Sequence, residues 1–283
     1  MLYVVNYADG TPYELFRKEC TKSAYWLGRA DKVIEYTRSD IPASYINANK
    51  RIFSYQRGAG LWLWKPFLVN KALETLNVGD WLFYTDGGAL FIRDIHKLIK
   101  CAETHETDIM LFEQPLLQRQ FTKHETMVKM GIEEKGLNQT LGIFLLQKNE
   151  RTVSLMKEWL SCCEQEELIS PNIFNQDIEE YADFVAHRED QSILSALRIK
   201  YDITAFRDPS DYGEMPFQYA TNRAFIYHPV RYTNSNYPTV MLCSRKTRPV
   251  SYLLQYIIRK ILWTLNIRWT ESFFLKRFQC KKI

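Results

Sequence analysis

The chain has 283 residues, 46% of them hydrophobic and 25% charged, a composition typical of one large globular domain with or without an appendage. The net charge of +4 is unevenly distributed along the chain: positions 241–283 carry +9, which leaves about −5 on the first 240 residues. The negative charge of this main part argues against nucleic-acid binding. No apolar run reaches about 18 residues and the opening is too polar for a signal peptide, so no membrane span or secretion is expected.

The cysteines and aromatic residues narrow the class further. The six cysteines form no C-x-x-C pair, which argues against a zinc site, and they favour a reducing, cytosolic setting. Aromatic residues make up 14% of the chain. Carbohydrate-binding sites are rich in aromatic side chains, although aromatic-rich cores are also common.

In chain order, short apolar runs alternate with segments of helical spacing, which predicts an α/β fold with a mostly parallel sheet and flanking helices. The predicted strands are 2–6, 31–36, 81–85, 108–112, 140–147 and 225–227. The predicted helices are 12–26, a helix within 61–76 that has Pro66 in its first turn, 92–104, 150–165, 187–201 and 250–267. Segment 51–55 is ambiguous, and the polar segment 114–138 is expected to be an irregular insertion suited to substrate recognition.

The strand predicted over 81–85 is followed at once by Asp86, Gly87 and Gly88. Ligands of open α/β sheets bind beyond the carboxyl ends of the strands, and glycines let a ligand approach the backbone closely. Asp86 is therefore the first candidate for a binding residue. The alternative is that Asp86 caps the next turn and the glycines only form that turn.

Two further candidates lie at element boundaries: Asp190 near the start of a helix, and His228 after the last predicted strand. Carboxylates bind Mg²⁺ or Mn²⁺, which bridge to substrate phosphates, and a histidine can complete the coordination of Mn²⁺. The alternatives are a first-turn acid that stabilises the helix dipole and a histidine that makes one structural hydrogen bond.

Lys65 and Arg57 flank the glycine loop at 58–60 and are candidates for neutralising a diphosphate, with ordinary surface charge as the alternative. Trp62 and Trp64 offer stacking faces, although alternating tryptophans often fill a core. The loop lacks the Gly-Lys-Ser/Thr of a P-loop and the G-x-G-x-x-G dinucleotide fingerprint. The sequence shows neither a Ser-His-Asp order nor H-E-x-x-H, which argues against a hydrolase and a metalloprotease.

Three motifs carry a resemblance: G-x-G-x-W-x-W-K-P at 58–66, Y-T-D-G-G at 84–88 and H-R-E-D-Q-S-I-L-S at 187–195. In this order they resemble bacterial glycosyltransferases of capsular polysaccharide and O-antigen assembly, over roughly residues 2–229. The resemblance implies a GT-A fold, a Rossmann-like sheet that holds a nucleotide-sugar. It also implies a D-x-D motif that meets the nucleotide and a divalent metal, and Asp86 matches the first acid of that motif.

Gly88 departs from this motif, since it stands where the second acid is expected. Two alternatives therefore remain for Asp86. Either it binds Mn²⁺ or Mg²⁺ together with a ligand from another part of the chain, or it hydrogen-bonds the ribose of the nucleotide. The more distant lipopolysaccharide galactosyltransferases have an N-x-G segment, a D-Q segment and a late histidine in similar order. The comparable positions here are 139–142, Asp190 with Gln191, and His228.

Transfer from a nucleotide-sugar requires stabilisation of the departing diphosphate, by a metal or by lysine and arginine. An inverting reaction also needs a carboxylate base, for which Asp190 is the candidate, whereas in a retaining reaction Asp190 and Gln191 would lie beside the sugar. Together these arguments assign catalysis to Asp86 and Asp190, a metal to Asp86 with His228, and nucleotide-sugar binding to Arg57, Trp64, Lys65, Asp86, Gly87, Gly88 and Gln191.

The helix predicted over 250–267 has a broad apolar face accompanied by tyrosines and tryptophans, with Arg259 and Lys260 opposite. Such a helix fits an in-plane anchor on an anionic membrane surface, to which each basic residue contributes about 1 kcal/mol. The alternative is a helix packed back on the preceding domain.

The sequence therefore predicts a GT-A glycosyltransferase domain over 1–240 and a basic amphipathic tail over 241–283, peripheral on the cytoplasmic face of the bacterial inner membrane. The predicted reaction moves a hexose from a nucleotide-sugar, with UDP-hexose favoured, to a growing, lipid-linked capsular or O-antigen glycan. One alternative is a catalytically degenerate binding or scaffold protein of the same pathway, suggested by Gly88. The other is a sugar-phosphate transferase.

Overall fold

A computed structural model describes residues 1–11, 13–219, 226–244, 247–265 and 281–282 of the chain. Its centre is a mixed sheet whose strands are Leu2–Tyr7 (β1), Lys32–Tyr36 (β2), Trp81–Tyr84 (β3), Ile109–Leu117 (β5), Asn138–Gln147 (β6), Ala205–Arg207 (β7), Ile226–Tyr227 (β8) and Lys281–Lys282 (β10). A separate antiparallel ribbon pairs Ala89–Phe91 (β4) with Met241–Cys243 (β9).

The central sheet has the strand order β10-β8-β5-β6-β3-β1-β2, with β7 paired to β5. Strand β1 lies between β2 and β3 and runs parallel to both. Strand β6 is antiparallel to β3 and to β5, so β5 shares the direction of the first three strands, as does β7. The predicted α/β architecture with a mostly parallel sheet and flanking helices is therefore confirmed.

The long helices coincide with the predicted ones to within a few residues. The helices are Tyr13–Trp26 (α1), Ala43–Ala48 (α2), Lys50–Phe53 (α3), Gly58–Leu61 (α4), Trp64–Thr75 (α5), His96–Thr104 (α6), Gln118–Phe121 (α7), His124–Lys129 (α8), Glu150–Cys163 (α9), Glu166–Ile169 (α10), Glu189–Lys200 (α11), Asp211–Glu214 (α12) and Pro249–Thr264 (α13). The ambiguous segment 51–55 falls mostly in α3. A few positions of the predicted elements lie outside the described residues, namely Pro12, Phe225 and 266–267.

Both faces of the sheet are covered by hydrophobic cores. Helices α5, α9 and α11 contribute to one core, and helices α1 and α6 with the β4–β9 ribbon contribute to the other. Side chains of a strand alternate between faces, so in β3 Leu82 and Tyr84 join the first core while Trp81 and Phe83 join the second. All four residues of β3 are buried, which explains their continuous apolar run and fixes the strand that precedes Asp86.

The segment 114–138 is not the irregular insertion that its polar composition predicts, so that prediction is wrong. Strand β5 continues to Leu117, and the short helices α7 and α8 follow. Several of its polar side chains are buried and hydrogen-bonded: Gln120 Nε2 donates to the Asp183 carbonyl at 3.1 Å, and Thr122 Oγ1 donates to Gln139 Oε1 at 3.2 Å. Polar groups that find partners in this way are compatible with burial, which composition alone does not reveal.

Strands β4 and β9 are not among the predicted strands, because a run of three residues is too short to show the two-residue period of a strand. Their pairing sets Ala89 opposite Cys243 and Phe91 opposite Met241, so the chain after position 240 returns to the turn that follows Asp86. The helix expected over 92–104 accordingly begins only at His96. The division of the chain at position 240 stays a prediction.

Helix α13 packs on the domain through its polar and aromatic face. The Tyr252 hydroxyl donates to Asp211 at 2.8 Å and the Tyr256 hydroxyl donates to Glu214 at 2.7 Å, with Lys260 Nζ 3.0 Å from the same glutamate. The opposite face leaves large apolar side chains exposed: Leu254, Ile257, Ile258, Ile261 and Leu265. Within the described part of the chain, no helix is long and apolar enough to cross a bilayer.

Replacing Trp159 by phenylalanine is expected to lower the free energy of unfolding by about 1–3 kcal/mol. The indole is fully buried, packs edge-on against Phe144 with ring centres 5.7 Å apart, and donates from Nε1 to the Asp190 carbonyl at 2.9 Å. The substitution leaves that buried carbonyl without this donor. Urea denaturation measures the change, and Trp26→Phe is the control, since Trp26 is 77% exposed and its loss should cost less than about 0.5 kcal/mol. Equal losses in the two variants would contradict the packing described.

Candidate functional site

The carboxyl end of β3 places Asp86 at the edge of the sheet where ligands of such folds bind. Thr85 N donates to the Val5 carbonyl at 3.1 Å, which extends the pairing with β1 by one residue before the chain turns. The Asp86 side chain is 68% exposed. A Cβ at Gly87 would lie 3.1 Å from the Tyr7 carbonyl, so glycine lets this turn pack closely against the end of β1.

The glycine loop before α5 reverses through left-handed backbone conformations. The φ angles of Gly58 and Gly60 are 61° and 98°. Trp62, which lies between this loop and α5, has a φ angle of 60°. A Cβ at Gly58 would lie 2.3 Å from the Trp62 ring, so only glycine allows the indole to fold back over the loop. This turn brings Trp62 and Lys65 to the wall of one cavity.

Trp64, predicted as a stacking face for the ligand, is instead part of the core. Its ring stacks on Tyr7 with centres 3.9 Å apart, and its Nε1 donates to the Gly58 carbonyl at 2.9 Å. The half-buried Trp62 is the tryptophan that lines the cavity. The spacing of the two tryptophans in the sequence does not show which of them faces the ligand.

Lys65 forms an ion pair inside this cavity. Its Nζ lies 3.1 Å from Asp190 Oδ2 and 3.8 Å from Asp86 Oδ1. The side chains of Lys65 and Asp190 are almost completely buried, whereas Asp86 reaches solvent. Burial lowers the pKa of Lys65, but the carboxylates of Asp190 and Asp86 outweigh burial and raise it, so the ammonium stays charged at neutral pH.

Gly142 in β6 provides the room for this ammonium. A Cβ at position 142 would lie 2.8 Å from Lys65 Nζ, and the Tyr84 ring lies on another side of the ammonium with its centre 5.6 Å away. A glycine inside a strand often marks such a close approach. The sequence shows the glycine, but only the fold shows that Lys65 is its neighbour.

The start of α11 carries Asp190 and Gln191 into the cavity, as the resemblance implies. Burial raises the pKa of the Asp190 carboxyl, and Lys65 acts against that rise. The Gln191 side-chain amide donates to the Thr140 carbonyl, which ties α11 to β6. Gln191 therefore helps to fix the position of Asp190 as well as lining the cavity.

Arg57 lines the cavity but its charge is already paired. Its guanidinium forms an ion pair with Glu189, and its centre lies 5.6 Å from the centre of the Trp62 ring. Burial raises the pKa of Glu189, while Arg57 acts to lower it. Arg57 and Lys65 are thus both paired with carboxylates, and Arg57 is the more exposed of the two, with 58% of its side chain exposed against 6%.

These groups surround one open cavity, the strand-end cavity, with a volume of about 530 Å³. The predicted residues on its wall are Arg57, Lys65, Asp86, Gly88, Asp190 and Gln191. The wall also includes Trp62, Thr85, Leu141, Gly142, Arg188 and Glu189, which lie within the motif segments singled out in the sequence. The lining residues outside those motif segments are Ala89, Gln114, Ile143, Asp208, Tyr212, Tyr219, Met241 and Cys243. The members from 208 to 243 arrive from short turns and strands without periodicity, so no sequence signal could have found them.

His228 lines a different cavity, of about 510 Å³, together with Glu113 and Arg198. Its Nδ1 lies 2.9 Å from Asn138 Oδ1, and its backbone N–H donates to the Pro115 carbonyl at 2.9 Å. The structure therefore does not bring the two predicted metal ligands, Asp86 and His228, together. The contacts of His228 are those of a strand-end histidine in a structural hydrogen bond.

The residues around Asp86 do not fit a divalent metal ion. Mg²⁺ and Mn²⁺ are commonly held by one or two carboxylates together with water and substrate phosphates. Here Gly88 supplies no second carboxylate beside Asp86, and the Lys65 ammonium, 3.8 Å from Asp86 Oδ1, would repel a cation bound there. In the described ranges, no group of three or more histidine, cysteine, aspartate or glutamate side chains is arranged to hold a metal.

A comparison with protein-family models gives no match. A comparison with curated proteins also gives none. Among solved structures, the chain is similar to mouse xyloside xylosyltransferase 1 in its apo form, with 10% identity, a TM-score of 0.49, and coverage of 87% of this chain and 98% of that chain.

Two further solved structures show a similar likeness. The galactosyltransferase LgtC in complex with donor and acceptor sugar analogues has 15% identity and a TM-score of 0.40, covering 85% of this chain and 86% of that chain. The apo form of the glycosyltransferase GlyE of Streptococcus pneumoniae TIGR4 has 14% identity and a TM-score of 0.41, covering 95% of this chain and 63% of that chain. All three similar structures are glycosyltransferases.

His187 should make the stability of the segment before α11 sensitive to acid. Burial, helped by the charge of Lys123, lowers the pKa of His187 from 6.5 to about 3, and its Nδ1 accepts from Lys123 N at 3.3 Å. As pH falls below 6.5, His187 becomes protonated in the unfolded chain but stays neutral in the folded chain. The free energy of unfolding should therefore drop by about 2–3 kcal/mol between pH 6.5 and about 4.5 from this residue.

The test compares urea denaturation at both pH values in the wild type, in His187→Gln and in the control His105→Gln, whose ring is exposed. His187→Gln should show a smaller drop in stability than the other two proteins. The same drop in all three would contradict the assignment.

Proposed function

We propose that the chain transfers a sugar from a nucleotide-sugar to a hydroxyl group of an acceptor glycan. The observation that carries this proposal is the charged ammonium of Lys65, buried against Asp190 and facing Asp86 in the strand-end cavity. Ammonium groups bind phosphates, and carboxylates accept hydrogen bonds from sugar hydroxyls. A cavity of about 530 Å³ at the carboxyl edge of an α/β sheet has a suitable size and place for such a ligand.

In the proposed reaction, the bond between the anomeric carbon and the β-phosphate oxygen breaks, and both bonding electrons leave with the phosphate. The oxygen of the acceptor hydroxyl forms the new bond to that carbon and releases its proton to a carboxylate when the reaction inverts. Asp86 is open to solvent, whereas Asp190 is held by Lys65. We therefore assign contact with the reacting sugar to Asp86 and the positioning of Lys65 to Asp190.

We assign the acceptor to two cavities that neighbour the strand-end cavity. A small cavity shares Asp208, Tyr212 and Tyr219 with the strand-end cavity, and it shares Glu113 and Tyr232 with the His228 cavity. Tyrosine offers both an apolar ring and a polar hydroxyl, which suits the mixed surface of a sugar. The three neighbouring cavities at the edge of the sheet support an extended glycan as the acceptor.

The finer proposal is a UDP-hexose donor and a growing, lipid-linked capsular or O-antigen glycan as acceptor. It is supported by the three motifs at 58–66, 84–88 and 187–195, which resemble enzymes of those pathways. One residue of each motif, Lys65, Asp86 and Asp190, contributes to a single ion-paired cluster. The clustering of the motifs favours a working transferase over a degenerate scaffold protein.

We further propose that the protein is peripheral on the cytoplasmic face of the bacterial inner membrane. The polar face of α13 is occupied by the domain, so its apolar face, with five large side chains 44–68% exposed, is the one available to lipid. The charge of +9 on positions 241–283 supports an anionic leaflet as the partner. A lipid-linked acceptor would be found at that surface.

Replacing Asp86 by asparagine should lower the rate of sugar transfer by about 100-fold, because the neutral amide cannot take up the proton of the acceptor hydroxyl and accepts hydrogen bonds from the sugar less strongly than a carboxylate. Consumption of a panel of nucleotide-sugars, with UDP-hexoses first, identifies the donor and gives the reference rate. Asp177→Asn, at an exposed position away from the cavity, is the matched control and should keep that rate. Full activity in Asp86→Asn would refute the site assignment, and a wild type that consumes no nucleotide-sugar would refute the proposed reaction.

Introducing two charges on the exposed face of α13, as Ile258→Asp with Ile261→Asp, should reduce binding to vesicles that contain anionic phospholipid by at least about 10-fold. Both side chains are more than half exposed, so the change should leave the fold intact. Co-sedimentation measures binding, and Val78→Asp, which alters an apolar side chain 80% exposed outside the tail, serves as control. Unchanged binding of the α13 variant would contradict the membrane proposal.

A further inference from the structure

The Lys65 ammonium lies close to both carboxylates that a bridging metal would need, those of Asp86 and Asp190. Its Nζ is 3.8 Å from the first carboxylate and 3.1 Å from the second. A Mg²⁺ or Mn²⁺ ion bound by both would need contacts of about 2.0–2.3 Å to each, which requires the space between them. An ammonium at these two distances already supplies a positive charge to both carboxylates and would repel a cation placed beside it.

The surroundings of Lys65 hold the ammonium in this place. The side chain is 6% exposed, Asp190 is equally buried, and the centre of the Tyr84 ring is 5.6 Å away. Gly142 leaves room for Nζ, since a Cβ there would come within 2.8 Å of it. The ammonium is thus a fixed part of the cavity wall and not a mobile surface charge.

The contact of Lys65 with Asp86 is the one that a ligand can replace. It is the longer of the two contacts, and the Asp86 carboxylate is 68% exposed, so Asp86 can turn to solvent or to a sugar hydroxyl. An ammonium group has three N–H donors. A phosphate oxygen can therefore take the place of Asp86 while Asp190 keeps its own contact with Lys65.

We propose that Lys65 supplies the positive charge at the donor diphosphate, so that the chain binds and uses its donor without a divalent metal. The inference rests on the proposed sugar transfer and adds to it the identity of the group that receives the diphosphate. When the bond from the anomeric carbon to the phosphate oxygen breaks, the negative charge that develops on that oxygen lies against the ammonium. Lys65 keeps its proton throughout, since its acidic neighbours raise its pKa.

The first test measures binding of UDP, GDP, ADP and CDP to the full chain by calorimetry, once with EDTA and once with added Mn²⁺ or Mg²⁺. The inference predicts that at least one nucleotide binds in EDTA, and that metal changes its Kd by no more than about two-fold. Transfer of the sugar from the matching donor should likewise continue in EDTA.

The second test changes the charge of Lys65. Lys65→Met alone leaves Asp190 buried without its partner and is expected to lower stability, so the double variant Lys65→Met with Asp190→Asn is made beside it. The double variant should keep the wild-type circular dichroism and bind the nucleotide about 10- to 100-fold more weakly in EDTA. Lys71→Met is the matched control, since Lys71 lies on the same helix but contacts Asp40, and it should bind as the wild type does.

The possible failures are distinguishable. A wild type that binds nucleotide only with Mn²⁺ or Mg²⁺ overturns the inference and leaves the proposed transfer standing. A folded double variant that binds in EDTA as tightly as the wild type also overturns the inference. If no nucleotide binds under either condition, the proposed function fails and the inference fails with it.

Discussion

A buried ion pair between Lys65 and Asp190 organises the carboxyl edge of the sheet. Removing an ammonium and a carboxylate from water costs several kcal/mol per ion, and only close contact with good surroundings compensates for this. For Lys65 the attraction outweighs burial and raises the pKa of the ammonium, whereas for Asp190 burial outweighs the attraction of Lys65 and raises the pKa of the carboxyl. Loss of either partner would leave a buried charge uncompensated, at a cost of about 3–5 kcal/mol.

The fold brings the parts of this ion pair together from three distant segments. Lys65 comes from the first turn of α5, Asp190 from the first turn of α11, and Gly142 from strand β6. Trp159 of α9 fixes the backbone of Asp190, and the buried strand β3 carries Asp86 to the same edge. The same cores that stabilise the domain therefore set the distances within the cavity.

The sequence predicted the parts of the site that depend on local pattern. Asp86 is predicted because a short apolar run ends in an acid and two glycines, Lys65 because it flanks the glycine loop, and Asp190 because it lies near the start of a predicted helix. Trp64 and His228 were misplaced because their side-chain direction depends on packing: Trp64 stacks on Tyr7, and His228 contacts Asn138. Long-range proximity has no signal in a single sequence.

The same limit applies to the fold. Long strands and helices follow from apolar periodicity, but the pairing of β4 with β9 joins two runs of three residues that are far apart in the chain. The burial of segment 114–138 depends on hydrogen bonds such as that of Gln120 to the Asp183 carbonyl, which composition does not show.

The most direct test of the central claim is a crystal structure of the full chain with its nucleoside diphosphate. The account predicts that an oxygen of the terminal phosphate lies about 3 Å from Lys65 Nζ, with Asp190 still in contact with that ammonium. A nucleotide bound outside the strand-end cavity, or one whose phosphates lie beyond hydrogen-bond distance of Lys65, would contradict it.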